Sequence, residues 1–447
     1  MKDWGVEIMH DSSYDPVIKA LSHVKLPEFK KVRYDVPLAD AGFDARVQVR
    51  KTVLEQGLLD RIRPGEVVAL SASSREIAQQ SLILGTLVEL LRDHGARPMI
   101  VAAMGSHGGA TAEGQCALME SYGITEQTMG CPVCATMNVT LLGMTEKEGL
   151  PVYQEENAAA ADHIIPVGRV KSHPDFRGKV ESGLQKMLTI GFGKQHGASL
   201  CHQRGWARMS DTIQEVAGWI LDHRSVPFGL AIIEDSMHKV AMVEAVPGEQ
   251  IRMREPELLD IARSYIPKLP FEKVDVLFVD ELGKDISGAG MDPNVTGRSA
   301  VLGSSAPFID RIAVRDLTLK TKHNAAGIGN ADVITRRLFD QIDLPATYVN
   351  VITSHDSKGG MLPPAMPSDL TAFQYAMESI TGRDDPLGLR IVWIHSTAAM
   401  REFYISPALY AEAEANPALE LSTRACEACF NEAGDFTGWN GEFTFWK

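Results

Sequence analysis

Strand-like and helix-like segments take turns along this chain, and that alternation limits the folds open to it more than any other feature. VVAL (67–70) reads as a buried strand that runs into SASSRE and then the periodic helix IAQQSLILGTLVELLRDH, closed by Gly95. PMIVAAM (98–104) is a second strand, followed by GSHGGAT and a helix through CALMESYG. HIIPVGRV (163–170) is a third, followed by KSHPDF. SDTIQEVAGWILDHR is a helix that Ser210 can cap, with Ile213, Val216, Ala217, Ile220 and Leu221 on one face. SYIPKLPFEK, with two prolines, suits a linker. Alternation then resumes: VDVLFVDEL as strand, ADVITRRLFDQID as helix, ATYVNVITS as strand, DLTAFQYAMESIT as helix and LRIVWIHST as strand. The expected fold class is α/β, with two domains, 1–268 and 269–447. Each is a largely parallel sheet flanked by helices, with an active site in the cleft between them.

In such sheets ligands gather at the carboxyl ends of the strands. SASSRE, GSHGG and KSHPDF stand at three such ends. Arg75 falls where a helix is expected to begin, and Ser73 and Glu76 have capping-box spacing. A cation there opposes the helix dipole, so a carboxylate or phosphate ligand accounts for Arg75 better than capping does. His107 is flanked by Gly105, Gly108 and Gly109, which let a ligand approach the backbone. A solvated loop histidine is the plain alternative to a catalytic one, for His107 as for His173.

ESGLQKMLTIGFGKQHGASLCH, residues 181–202, opens like an amphipathic helix and then meets Gly191, Gly193 and Gly197. Lys186 sits among Leu184, Met187 and Leu188, as if bordering a buried face. On one unbroken helix Lys186 and His202 would lie on opposite sides. A chain that folds back at the glycines could bring both to one pocket, with His196 a rival for any metal role. Arg169, Lys171, Arg177, Lys179, Lys186 and Lys194 face only Asp175 and Glu181 across this stretch. In a chain of net charge −14 that cluster points to a small anionic ligand, or else to a solvated basic face.

The same acidity argues against general nucleic-acid binding. No apolar run is long enough to span a bilayer, and MKDWGVEIMHDSS lacks the apolar core of a signal peptide, so a cytoplasmic protein is expected. Of six cysteines, four form CPVC and CEAC, far apart in the chain. Reduced thiols are expected there rather than a shared zinc site. No G-x-G-x-x-G follows the first strand, and neither a Walker motif nor G-x-S-x-G is present.

SASSRE, GSHGGAT, and KSH followed by ESGLQKM and then His202, in this order, resemble the lactate racemase family. The resemblance runs from about residue 60 to at least residue 300. It implies a nickel-pincer nucleotide, a pyridinium-3,5-bisthiocarboxylic acid mononucleotide carrying nickel, covalently attached to Lys186. His202 would be the protein's nickel ligand. Ala72, Ser73, Ser74 and Arg75 would flank the cofactor, with Arg75 reaching the substrate carboxylate. His107 and His173 would be the acid–base pair that serves the two hands of a 2-hydroxy acid. The family carries an aspartate where Ala72 stands. Its second-domain substrate residues have only GMDPNVTGR as counterpart, where Thr296 and Arg298 would bind substrate and Asn294 could contribute. The implied activity is a racemase or epimerase acting on a small hydroxy acid, with a sugar acid in view. A zinc-dependent hydrolase and a non-catalytic anion-binding protein are the alternatives.

Overall fold

Val68, Leu70, Ile100, Ala102 and Ile165 belong to one hydrophobic cluster, whereas Ala69, Val101 and Ile164 belong to another. Side chains of a strand alternate between faces, so these strands form a sheet buried on both sides. The computed structural model, which describes residues 12–299, 301–382 and 388–445, builds that sheet from four parallel strands. Their order is Val133–Cys134, Arg97–Ala102, Val67–Ala72, His163–Ile165. Helix Gln80–Asp93 covers one face through Ile83, Leu84, Leu87 and Leu91. Leu188, Phe192, Val216, Ala217 and Ile220 cover the other.

HIIPVGRV is two strands rather than one. It breaks at Pro166, which has no N–H for a ladder. His163–Ile165 stays in the first sheet, and Val167–Arg169 pairs parallel with Phe228–Glu234, which pairs antiparallel with Val240–Pro247. The buried Ser71 hydroxyl ties the two sheets together. It donates to the Val167 carbonyl at 2.9 Å and accepts the Val167 amide at 2.7 Å.

The chain divides into two compact units, Pro37–Ile266 and Met1–Val36 with Pro267–Lys447. The later division lies beside the expected linker. The N-terminal segment, however, joins the second unit, where Lys30–Tyr34 pairs antiparallel with Glu402–Ile405 and with Leu419–Leu421. The eight-stranded sheet there is parallel from Ala365–Met366 through Val333–Thr335, Phe308–Leu317 and Lys273–Leu282 to Ile391–Ile394, and antiparallel beyond.

Two expected elements change type. ATYVNVITS lies in a helix, Leu344–Ser354, started by the Asp343 carboxylate on the Ala346 amide, with Pro345 in the first turn. ADVITRRLFDQID holds a short strand, Val333–Thr335, before its helix Arg336–Gln341. Ser210 is not a cap. It is inside helix Met209–His223, and its hydroxyl donates to the Val180 carbonyl at 2.8 Å.

No helix among the described residues is long and apolar enough to cross a membrane. All six cysteines are free thiols. Among the described residues no cluster of three or more His, Cys, Asp or Glu could hold a metal ion.

Candidate active site

Ala72 pairs in register with Ala102, so the loops after these two strands leave the sheet side by side. The first carries Arg75 and the second His107. Val167–Arg169, clamped to Ser71, delivers a third loop beginning at Lys171. The first loop is not the start of a helix. Its Ser73 hydroxyl donates to the Arg75 carbonyl at 3.1 Å, Gln79 takes a φ of 56°, and the helix begins only at Gln80. The capping box and the dipole conflict expected for Arg75 therefore do not arise. Glu234 shapes the loop instead, accepting the Ala78 amide at 2.8 Å and pairing with Arg169. Ala72 and Ser73 are buried, and the Ser74 carbonyl accepts the Tyr122 hydroxyl at 3.0 Å.

The third loop closes on itself. Lys171 and Ser182 exchange backbone hydrogen bonds of 3.0 and 3.2 Å, which pins both ends of the segment between them. Glu181 fills its middle. Its buried carboxylate accepts the His173 amide at 2.6 Å and the Gly178 amide at 3.3 Å, and meets Arg263 at 2.7 Å. The acid in ESGLQKM thus fixes the backbone of His173, eight residues earlier. Spacing alone could not reveal that role.

Two aromatic rings pack against His173. Its ring centroid is 4.4 Å from Phe176 and 5.8 Å from Trp206, and Trp206 meets His202 edge-on at 5.1 Å. The Lys186 ammonium lies 5.9 Å from the Phe176 centroid. Lys186 and His202 each touch a ring that packs on His173, and both act on it electrostatically. The turn between them is a π-helical stretch, Met187–Gly191, then a break at Lys194, whose φ is 54°, before helix Lys194–Gln203. Side chains at Gly193 or Gly197 would collide with the Thr189 carbonyl, so these two glycines let the two helical arms pack.

Glu255 supports the arm that carries Lys186. Its buried carboxyl accepts the Gln185 amide at 3.0 Å, and a Cβ at Gly183 would strike it. Burial raises its pKa to about 7.

Electrostatics set this cluster apart. Burial, reinforced by Arg75, lowers the Lys186 pKa to about 8. Burial and then the charges of Lys186, Arg75 and Lys171 hold His173 well below the usual imidazole range, so it is neutral at pH 7. Solvent reaches Arg75 although protein crowds around it, as on the wall of a recess, and Arg169 is its nearest strong influence. Among the described residues neither the Arg75 guanidinium nor the Lys186 amine has a hydrogen-bond or ion-pair partner. An unpaired cation pair in a crowded recess is matched to an anion.

The two candidate histidines hold their protons on different nitrogens. His107 Nδ1 lies 3.1 Å from the Met104 carbonyl, which can only accept, so the neutral ring keeps its lone pair on Nε2. His173 Nδ1 accepts the Asp175 amide at 3.1 Å, which places the proton of the neutral ring on Nε2. In their neutral forms His107 thus presents an acceptor at Nε2 and His173 an N–H at Nε2.

The other expected site residues have their own local partners. Arg298, in the second unit, pairs with Asp332 and donates to the Ile309 and Asp310 carbonyls at 2.6 and 2.9 Å. Thr296 is buried. Both are committed to their own fold. His196 is exposed and packs on Tyr153 at 5.2 Å. The sequence reading missed the Trp206 wall, Glu181, Glu255 and Glu234, none of which stands in a recognisable spacing.

Neither a protein-family model nor a curated protein matches the chain. Among solved structures, the lactate racemase apoprotein from Thermoanaerobacterium thermosaccharolyticum is similar at 14% identity and a TM-score of 0.42, covering 64% of this chain and 74% of that one.

Proposed function

We propose that the chain is a racemase or epimerase that inverts the C2 carbinol of a 2-hydroxy acid with a nickel-pincer nucleotide anchored on Lys186. The observation that carries this reading is the gathering of an unpaired Lys186 amine, His202 and an unpaired Arg75 around a neutral His173. An amine with a pKa near 8 is uncharged often enough at neutral pH to be acylated. His202 offers one imidazole, and a metal whose other donors come from an organic ring asks for no more from the protein. A zinc hydrolase needs about three protein ligands on one ion, and no such cluster is found among the described residues.

The chain's own residues then divide the work. Arg75 holds the substrate carboxylate. His107 Nε2 takes the hydroxyl proton of one enantiomer and becomes imidazolium; His173, after taking a proton from solvent, gives one to the oxygen of the other enantiomer from its own imidazolium form, while His107 returns its proton to solvent. For the reverse reaction the roles exchange. When bound, the cofactor supplies the hydride acceptor. Phe176 and Trp206 line the place with apolar surface that keeps water from the reacting carbon. Ala72 offers no orienting carboxylate where the lactate racemase family has one; the changed second-domain stretch GMDPNVTGR favours a longer hydroxy acid such as a sugar acid over lactate.

Protein made in a host that synthesises the cofactor should carry a covalent adduct on Lys186 by intact-mass and peptide analysis, together with about one nickel. Lys186→Ala should carry neither. The loaded protein should exchange hydrogen at C2 in one of a panel of C2-epimeric hydroxy acids. A loaded host that yields unmodified protein without nickel overturns the reading.

A further inference from the structure

Lys194 is fully buried and belongs to none of the roles above. Its ammonium donates to the Ala102 carbonyl at 2.8 Å and to the Gln115 side-chain oxygen. Gln115, also fully buried, uses its amide nitrogen on the Gly105 carbonyl at 3.1 Å and the His107 carbonyl at 3.0 Å. A second bond joins the same two segments, from the Gly105 amide to the Gly191 carbonyl at 3.3 Å. The ammonium therefore sits where the strand Arg97–Ala102 ends, and one side chain later its hydrogen bonds reach His107. Lys194 itself stands at the break between the arm with Lys186 and the helix with His202, in a left-handed conformation that is unfavourable for a residue with a Cβ.

A buried ammonium is expensive unless hydrogen-bonded, and this one spends its bonds on the loop that carries His107. We infer that Lys194 and Gln115 are positioning residues that lock the His107 loop to the segment bearing Lys186 and His202. Lys194 orients Gln115 by occupying its oxygen. Gln115 can then present its nitrogen only to Gly105 and His107, which holds the His107 ring against Met104 and keeps the lone pair on Nε2. Removing the ammonium frees the amide to turn over; replacing the amide nitrogen by oxygen turns two attractions into repulsions.

The catalytic meaning rests on the proposed function, but the coupling itself can be read without turnover or cofactor. The full-length protein is treated with diethyl pyrocarbonate across pH 5.5–8, and carbethoxylation of each histidine is followed by peptide mass spectrometry. Gln115→Glu keeps an acceptor for Lys194 and loses the donor to the loop. In that variant His107 should react about fivefold faster or more and with a displaced pH midpoint, while His196 and His223 keep their wild-type rates. Lys194→Met should do the same. In Gln115→Glu the Lys194 ammonium gains a carboxylate partner, which supports folding, so this variant decides the matter should Lys194→Met fail to fold. An unchanged His107 rate and midpoint in folded Gln115→Glu overturns the inference, whatever activity or adduct the protein shows.

Discussion

Two clusters of charge in this molecule are built on opposite principles. In the second unit, Asp369 is completely buried yet receives Arg315 at 3.0 Å, Arg337 at 2.8 Å and the Phe436 amide at 2.9 Å. Arg315 also meets Asp280, and Arg337 meets Asp316 and Asp435. Every charge there has an answering one within the fold. In the first unit, Arg75 and Lys186 press on each other and on His173; the Asp175 carboxylate lies 3.8 Å from His173 Nδ1 and offsets part of this charge, but among the described residues it forms no ion pair with either cation. A network that satisfies itself serves the structure, whereas cations held without partners store a demand that only a ligand can meet.

That contrast can be broken by mutation. Asp369→Asn should lower unfolding stability by about 1.5–3 kcal/mol, because it takes one buried carboxylate from two arginines that keep Asp280, Asp316 and Asp435; chemical denaturation measures it. His173→Ala should leave stability nearly intact and cut kcat of the loaded enzyme by about 10²–10⁴, with KM little altered. Arg75→Lys keeps the charge but loses the fork that grips a carboxylate, so KM should rise about tenfold with a smaller change in kcat.

Titration sharpens the same contrast. Trinitrobenzenesulfonate should label Lys186 at a rate that climbs through pH 8 and then levels off, while surface lysines keep gaining reactivity toward pH 10.5. The sign for stability follows from the lowered value. Between about pH 8 and 10.5 the folded protein binds fewer protons at Lys186 than the unfolded chain, so this residue's unfavourable contribution shrinks as pH rises through that window. The smallest effect expected is on the empty protein. Lys186→Met should be neutral or stabilising by up to about 1 kcal/mol, the opposite sign from Asp369→Asn.

Local pattern made the strands at 67–72, 97–102 and 273–282 legible, because a short unbroken apolar run marks a strand buried on both faces. It made the loops legible too, since glycine and histidine at a strand end stand out. Pairing between distant segments left no such trace, and so Lys30–Tyr34 gave no sign of joining a sheet completed more than 350 residues later. The β-branched run TYVNVIT reads as strand by propensity; Asp343 and Pro345 were the helix-start signal that outweighs it. Lys194 looked like one more member of a basic stretch. Nothing in GFGKQHG tells that its ammonium points inward, because that depends on a carbonyl and an amide from two other segments.

The opposite placement of protons on His107 and His173 makes the resting protein lopsided toward a reaction that, for enantiomers, has an equilibrium constant of one. On the proposed reading, the hand of substrate whose hydroxyl meets His107 Nε2 finds an acceptor ready; its mirror image meets an N–H at His173 and must wait until that proton shifts to Nδ1, which gives up the Asp175 amide. Thermodynamics stays even-handed, yet the approach to equilibrium does not: one direction should start with a solvent-isotope-sensitive lag that the other lacks.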